Sequence, residues 1–304
     1  MIEYNNVWRK ENREVHKFLR AIGFSDITKK DLEMILDEVI TRPEIMKITK
    51  DSEGNEFAEL SGSFAANAGI TVRGTYQEDD SFHMDYYYPY VFGTSITTNE
   101  QIDVEKHAEK ESYAGVCDEV NLGVTLIFYI QNVADYLAET NRHLSKIHYG
   151  AMLAGLSTEG KILCPVVERK KNDVPAIQKN DRHNQLIAQA REGDEDAIES
   201  LTLEDMDTYA LLSQRVMKED IFSIVKSTFM PFGIESDQYT VLGEIIDCVT
   251  MENKLTHEKL YGMKLLCNNI QFDVCINEKD LLGEPAIGRR FRGNVWMQGN
   301  LCLE

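Results

Sequence analysis

The hydrophobic residues of this chain change their spacing at about residue 45. Before that point they recur at helical intervals, which predicts two short amphipathic helices. The first helix should end at Gly23, a residue suited to a left-handed cap, and the second should begin at Thr28 and end before Pro43. The apolar positions of the two helices are Val15, Phe18, Leu19 and Ile22, and then Leu32, Ile35, Leu36 and Val39.

After residue 45 the apolar residues alternate, as they do in strands that have one buried face. There are four such segments, and polar turn sequences separate them: "IMKIT", "EFAELS", "GITVRGTY" and "FHMDYYY". Together they predict an antiparallel meander. The later segment "VTLIFYI" is apolar on both faces and predicts a covered strand, and "VADYLAET" predicts a short helix entered through Asn132. A further hairpin is predicted for "YGAMLAGL" and "KILCPVV", joined by the turn "STEG".

The rest of the chain divides into three further parts by its composition. Residues 168–184 are polar and contain a proline, which is typical of a linker, and residues 185–233 have a helical pattern with many acidic residues. Residues 238–304 contain four or more short strands and predict a small OB-like or SH3-like β-barrel. The predicted fold class is therefore α+β: an antiparallel sheet domain with flanking helices over 1–167, a linker, a helical middle section and a carboxy-terminal barrel domain.

The charge of the chain limits its partners. Lysine and arginine total 32 against 51 acidic residues, a formal net charge of −19, so the chain repels phosphate backbones at long range. No apolar run approaches the ~20 residues of a membrane helix, and the amino terminus has no secretory signal pattern. The six cysteines form no CxxC pair and are expected to be reduced thiols. We therefore expect a cytoplasmic protein without a membrane partner.

The segment "HAEKESYAGVCDEV" contains the candidate catalytic residues His107, Glu111 and Cys117. His107 and Glu111 are four residues apart and would share one helix face, and Cys117 could act as a nucleophile with His107 as its base. A metal site is not expected, because a zinc site needs at least three ligands and the HExxH arrangement is absent. The alternative is that the charged residues are solvated and that Cys117 belongs to the core, which is the more common fate of such residues.

A second candidate site is the basic and aromatic segment "RRFRGNVWMQG". Its possible binding residues are Arg289, Arg290, Arg292 and Trp296, a combination with which small barrels bind single-stranded nucleic acid. The alternative is that the apolar residues point into a barrel while the arginines cover its rim or bind the acidic helical section of the same chain.

Five stretches of the sequence together carry a resemblance to a known family. They are "FLRAIGFS", "HAEKESYAGVCDEV", "SLTLEDMDTY", "DQYTVLGEIIDC" and "IGRRFRGNVWMQG". Over residues from about Val15 to the end, the chain resembles an uncharacterised domain-of-unknown-function family of Gram-positive anaerobic bacteria. The resemblance implies a bacterial cytoplasmic protein and assigns no catalytic residue.

The function expected from these observations is that of a non-enzymatic binding or regulatory protein. Its carboxy-terminal barrel and helical section would mediate contacts with a protein partner, and no cofactor is expected. The chain lacks GxGxxG, GxxxxGK[ST] and GxSxG, which disfavours dinucleotide enzymes, P-loop NTPases and common α/β-hydrolases. The alternatives are an enzyme, for example a hydrolase that uses His107, Glu111 and Cys117, or a protein that binds single-stranded nucleic acid through Arg289 to Trp296.

Overall fold

The computed structural model of the protein describes residues 15–107, 110–142, 148–166 and 225–303, together with isolated positions between 186 and 201. It begins with a short 3₁₀ helix, Lys17–Ile22, followed by helix α1, Lys29–Thr41. The Thr28 hydroxyl caps α1 by accepting a hydrogen bond from the Asp31 amide at 3.2 Å. Gly23 has a φ of 94°, and a Cβ added there would lie 2.6 Å from Cβ of Asn253, so the residue must be glycine. Both predicted helix ends are confirmed.

A four-stranded antiparallel sheet follows α1 and confirms the predicted meander. Its strands are β1 Ile45–Lys50, β2 Glu56–Ala65, β3 Ala68–Tyr76 and β4 Phe82–Val91, paired in that order. One face of this sheet packs against α1, where Val39 joins Ala58, Leu60 and Val72 in a buried cluster. Because side chains alternate along a strand, Glu59, Ser61, Thr71 and Arg73 point to the other face. That face is covered by the second sheet.

The second sheet contains the other ten strands of the described residues. They are β5 Thr98–His107, β6 Ser112–Glu119, β7 Val124–Ile130, β8 His148–Leu163, β9 Thr228–Pro231, β10 Gln238–Glu252, β11 Lys259–Cys267, β12 Ile270–Asn277, β13 Leu281–Leu282 and β14 Arg290–Leu301. Helix α2, Val133–Asn141, connects β7 to β8, which confirms the short helix predicted after Asn132.

Two rings of strands share the antiparallel pair β8 and β14. One ring runs β8, β12, β11, β10 and β14, and its ladders close back on β8. The other ring runs β8, β5, β6, β7 and β14. Closing a sheet in this way removes exposed strand edges. The buried apolar side chains of both rings, among them Phe128, Leu153, Phe272 and Met297, form one continuous core.

The predicted α+β fold class is wrong, because the described part of the chain is mainly β. The carboxy-terminal strands do form a barrel, but it closes only through β8, which precedes the predicted boundary at residue 167. The predicted hairpin over "STEG" is instead one continuous strand, the 16-residue β8. The predicted helical section 185–233 contains strand β9, and most of its other residues, like the linker 168–184, lie outside the described residues.

Candidate functional site

Two of the three predicted catalytic residues, Glu111 and Cys117, do not come together. Glu111 precedes β6 and Cys117 lies near the end of that strand, which at about 3.3 Å per residue places them on the order of 15–20 Å apart. Cys117 is buried in the core, where burial and the neighbouring Glu119 raise the pKa of its thiol to about 12. A thiol held neutral in this way is a poor nucleophile. The backbone of His107 pairs with Ser112, and its side chain lies outside the described residues.

Glu111 instead joins a polar cluster formed with Ser52, Lys106 and Tyr113. Its carboxylate accepts hydrogen bonds from both hydroxyls and from Lys106 Nζ, the last at 2.8 Å, while Lys106 Nζ also lies 2.7 Å from Ser52 Oγ. Burial by itself raises the pKa of Glu111, but these hydrogen bonds outweigh it and hold the pKa below its usual value. A carboxylate with a lowered pKa is a weak general base, so the cluster fits a link between the β1–β2 turn and the β5–β6 hairpin better than a catalytic role.

The arginine and tryptophan residues of the other predicted site have different surroundings. Arg290 is 5% exposed, and its guanidinium donates to the carbonyl oxygens of Cys164 and Val225 at 2.9 and 2.6 Å. Trp296 is also buried: its indole stacks on Phe18 and its Nε1 donates to Asp237. Arg292 is half-buried and Arg289 is exposed. Two of the four residues are therefore committed to internal contacts and cannot stack on a nucleic-acid base.

A cleft of about 330 Å³ lies between the two sheets, and we identify it as the candidate site. One wall comes from the covered face of the four-stranded sheet and the other from β8, β14 and the start of α2. Polar side chains that are buried or nearly so line it: Glu59, Ser61, Thr71, Tyr88 and Gln131. Apolar side chains from both sheets complete the lining, namely Ile45, Phe92, Met152 and Leu301. This mixture of apolar lining and a few fixed polar groups is typical of small-molecule sites.

The floor of the cleft rests on a buried ion pair. Arg73 is fully buried and its Nη2 lies 2.6 Å from Oε1 of Glu59. The same guanidinium donates to three tyrosine hydroxyls and two main-chain carbonyls, those of Tyr86, Tyr88, Tyr129, Ile130 and Gln131. Burial raises the pKa of Tyr88 and of Tyr129, so both hydroxyls stay neutral.

The second oxygen of Glu59 connects this ion pair to helix α2. Its Oε2 accepts a hydrogen bond from the Ala134 amide at 2.8 Å, in the first turn of α2, where a negative charge is favourable. The network therefore joins β2, β3, β4, β7 and α2. It fixes the two walls of the cleft relative to one another.

Gln131, a residue of the cleft, has a buried oxygen without a hydrogen-bond donor among the described residues. Its Nε2 donates to the Val91 carbonyl at 2.9 Å and to Oε1 of Gln298 at 2.8 Å, which assigns the orientation of the amide because both partners are acceptors. Its own Oε1 is buried and accepts no hydrogen bond from any residue that the structure describes. An unsatisfied buried oxygen costs about 1–3 kcal/mol, and such groups recur where a ligand or water completes the site.

An ion pair stands at the mouth of the cleft. Lys47 Nζ on β1 lies 2.6 Å from Oδ2 of Asp135 on α2, and the two side chains are 41% and 43% exposed. Both residues line the cleft. Because half-exposed ion pairs contribute little to stability, this one can open without a large cost.

A second, slightly larger groove of about 380 Å³ lies between α1 and the loop after β10. Its apolar part includes Met34 and Leu255, which are both about half exposed, and its rim carries Asp26, Asp31 and Glu258. Acidic rims are expected anywhere on a chain with a net charge of −19, so this groove gives a weaker argument for a ligand than the cleft between the sheets.

The sequence patterns did not identify the residues of the cleft. Arg73 and Glu59 lie in strand segments where apolar and polar residues alternate, and a charged residue in such a segment is normally expected to face water. The available signal was that the arginine of "GITVRGTY" sits inside an otherwise uncharged strand. Gln131 and Asn132 follow the apolar strand "VTLIFYI" directly, and polar residues at a strand end are common enough to carry little information alone.

Comparison with known proteins gives a family but no activity. The model of the family described as "Domain of unknown function, E. rectale Gene description (DUF3881)" matches residues 19–299, and the chain belongs to this family. Membership of an uncharacterised family, predicted from the sequence, is thereby confirmed. No curated protein and no solved structure matches the chain. Among the described residues, no helix has the length and hydrophobicity needed to cross a membrane, and no group of three His, Cys, Asp or Glu residues could hold a metal ion.

Proposed function

We propose that the protein is a non-enzymatic binding protein that takes a small polar molecule into the cleft between its two sheets. The observation that carries this proposal is the buried Oε1 of Gln131, which lacks a hydrogen-bond donor in a residue that lines the cleft. If the Gln131 amide turns toward the cleft, a ligand that supplies an N–H or O–H group would remove the cost of leaving this oxygen unsatisfied. Its binding energy would come from that group and from contact with Ile45, Phe92, Met152 and Leu301.

The polar groups of the cleft favour binding over catalysis. Both carboxylate oxygens of Glu59 are occupied, one by Arg73 and one by the Ala134 amide. Ser61 Oγ and Thr71 Oγ1 lie 2.8 Å apart and hydrogen-bond to each other. A nucleophile needs an adjacent general base that is available to take its proton, and neither hydroxyl has this arrangement. The groups are instead fixed in position by the surrounding network, which is the condition for selective binding.

A regulatory role would follow from the position of the cleft. A ligand there touches β1, α2, β8 and β14, so it bridges the four-stranded sheet and both rings of the second sheet. Anything that binds the folded state stabilises it in proportion to the logarithm of ligand concentration. Ligand binding would therefore hold the two sheets together more firmly.

Two neighbouring residues on β1 provide a matched test. Ile45 and Met46 are exposed to similar extents, 44% and 49%, but Ile45 lines the cleft and Met46 points to the opposite face of the strand. We expect Ile45→Trp to fill the cleft and Met46→Trp to leave it open. Neither change should alter the fold, since both side chains are partly in solvent.

The experiment is thermal unfolding of the full chain with pooled small metabolites: sugars, polyols, amino acids, amines, carboxylates and nucleotides. At least one pool should raise the Tm of the wild type and of Met46→Trp, and the rise should be lost in Ile45→Trp. If no pool raises the Tm, or if Ile45→Trp responds as strongly as the wild type, the cleft is not a binding site and the proposal is wrong.

A further inference from the structure

We infer that the ligand of the cleft is a zwitterion, namely a free α-amino acid with an aliphatic side chain. This inference rests on the proposed function and assigns the chemical class of the molecule. It follows from three features of the cleft taken together: the ion pair at the mouth, the oxygen of Gln131 and the apolar lining. None of these was singled out by the sequence patterns.

The ion pair at the mouth of the cleft favours a ligand that carries one positive and one negative charge. Lys47 and Asp135 lie 2.6 Å apart and belong to opposite walls, so a molecule that enters between them must separate them. An anion would satisfy Lys47 and leave Asp135 without its partner, and a cation would do the reverse. An amino acid satisfies both, because its carboxylate can pair with Lys47 and its ammonium with Asp135 in charge-assisted hydrogen bonds.

The oxygen of Gln131 adds a demand for a hydrogen-bond donor. An ammonium group carries three N–H donors, so one can pair with Asp135 and another is available for the amide oxygen of Gln131 once that side chain turns toward the cleft. A carboxylate or phosphate cannot supply this donor, because an ionised acid only accepts hydrogen bonds. The polar end of the cleft therefore fits an ammonium better than it fits an anion.

The overall charge of the protein argues in the same direction. A net charge of −19 repels anionic metabolites from the surface, which lowers their local concentration. A zwitterion has no net charge and does not meet this barrier. Among the polar metabolites of a cell, this disfavours nucleotides and organic acids and leaves amino acids, sugars and amines.

The apolar lining separates amino acids from sugars and simple amines. Ile45, Phe92, Met152 and Leu301 present carbon atoms from both sheets and give an aliphatic side chain an apolar surface to cover. Covering apolar area is favourable, whereas a sugar ring, with hydroxyls around its edge, would lose hydrogen bonds to water there. We therefore select leucine, valine and methionine as the best-fitting probes.

The test is calorimetric titration of the full chain with L-leucine, L-leucine methyl ester and N-acetyl-L-leucine. The ester lacks the carboxylate and the acetyl compound lacks the ammonium. L-leucine should bind the wild type and the Met46→Trp control, and each derivative should bind at least about tenfold more weakly, since each loses one charge-assisted hydrogen bond.

Two surface variants connect each end of the ligand to one residue. Lys47→Gln should weaken L-leucine by about tenfold and should not weaken the methyl ester, because the ester makes no carboxylate contact and no longer leaves a lysine without its partner. Asp135→Asn should weaken L-leucine by about tenfold and should not weaken N-acetyl-L-leucine, which makes no ammonium contact and no longer leaves an aspartate without its partner. Both positions are half-exposed, and thermal unfolding of each variant verifies that it folds.

The outcomes separate this inference from the proposed function. If a sugar, polyol or simple amine binds in a manner that Ile45→Trp abolishes while L-leucine, L-valine and L-methionine do not bind, the ligand class is wrong and the cleft remains a binding site. If L-leucine binds Ile45→Trp as well as it binds the wild type, both the class and the cleft are wrong. Equal binding of L-leucine and its two derivatives would contradict the zwitterion alone.

Discussion

Arg73 and Arg290 are both buried arginines, and they hold different parts of the molecule together. Arg73 is 0% exposed and lies beside a carboxylate, with Nη2 2.6 Å from Oε1 of Glu59. Its guanidinium also donates to the Tyr129 hydroxyl and the Ile130 carbonyl of the second sheet. Arg290 is 5% exposed and donates to carbonyl oxygens on either side of a long stretch of sequence, at Cys164 and Val225. One arginine joins two sheets, and the other joins the two ends of the chain segment between β8 and β9.

The difference shows how the surroundings decide what a buried charge contributes. Burial lowers the pKa of Arg290, whose guanidinium contacts include the carbonyls of Cys164 and Val225. At Arg73 the charge of Glu59 compensates for lost hydration, and removing one partner of such a pair leaves an uncompensated charge in the interior. We expect Arg73 to matter more for stability than Arg290, because its removal leaves the buried charge of Glu59 without a cation and also ends hydrogen bonds to three tyrosine hydroxyls and two main-chain carbonyls.

The largest effect is expected for Arg73→Met. This change leaves Glu59 buried without its cation and should lower the free energy of unfolding by about 3–5 kcal/mol. Urea denaturation of the full chain measures it, with the exposed Arg42→Met as a control that should stay within about 0.5 kcal/mol of the wild type.

A double variant sharpens the interpretation of that result. Arg73→Met combined with Glu59→Gln removes the uncompensated charge while an amide oxygen remains to accept from the Ala134 amide. The double variant should be more stable than Arg73→Met alone, because the two changes act on one pair. If it is less stable by the sum of two independent losses, the ion pair is not the reason that Arg73 matters.

A smaller effect is expected for Arg290→Met. The carbonyls of Cys164 and Val225 would lose a charged donor, at a cost of about 1–3 kcal/mol. The adjacent Arg289 is exposed, so Arg289→Met is a matched control that should change stability by less than about 0.5 kcal/mol. Equal effects of the two substitutions on the free energy of unfolding would show that the buried contacts of Arg290 do not stabilise the protein.

The smallest effect is expected at the more exposed ion pair of Lys106 and Glu111. The pKa of Glu111 is lower in the folded protein than in the unfolded chain, so its contribution to stability is present above the unfolded value of about 4.3 and is lost as the pH falls through the folded value. Glu111→Gln should cost about 1 kcal/mol at pH 7, and the difference from the wild type should shrink below pH 4.

Denaturation curves at pH 7 and at about pH 3 measure that change, with the exposed Glu105→Gln as control. A difference between wild type and Glu111→Gln that stays the same at both pH values would show that the ionised carboxylate is not the stabilising form. A difference larger than that of Arg73→Met would contradict the ranking of the two ion pairs.

The sequence by itself determined the local elements. Helix α1 is predicted from its apolar spacing and its Thr28 cap, and the meander of β1 to β4 from alternation and turn residues, because these signals lie within a few residues of one another. The strands of the carboxy-terminal barrel were predicted for the same reason. The burial of Cys117 was already the favoured interpretation of that residue.

Only the tertiary structure decided how these elements close and where polar residues meet. β8 completes both rings of strands, but its apolar pattern carries no information on its partners, some of which lie more than one hundred residues away. The turn expected at "STEG" is absent because β14 and β13 extend the strand through it by pairing with its backbone. A local preference for a turn is overridden when long-range strand pairing satisfies the hydrogen bonds of the same backbone N–H and C=O groups.

The cleft is the clearest case of this limit. Glu59 lies on β2, Arg73 on β3 and Gln131 in the link between β7 and α2, and each is an ordinary residue in its own stretch of sequence. Alternation predicts only that Glu59 and Arg73 share one face of a sheet, and whether that face meets water or a second sheet depends on contacts between distant parts of the chain. The second sheet covers this face, so the charges of Glu59 and Arg73 must pair with each other. The space left between the two sheets forms the cleft, which no local sequence pattern predicts.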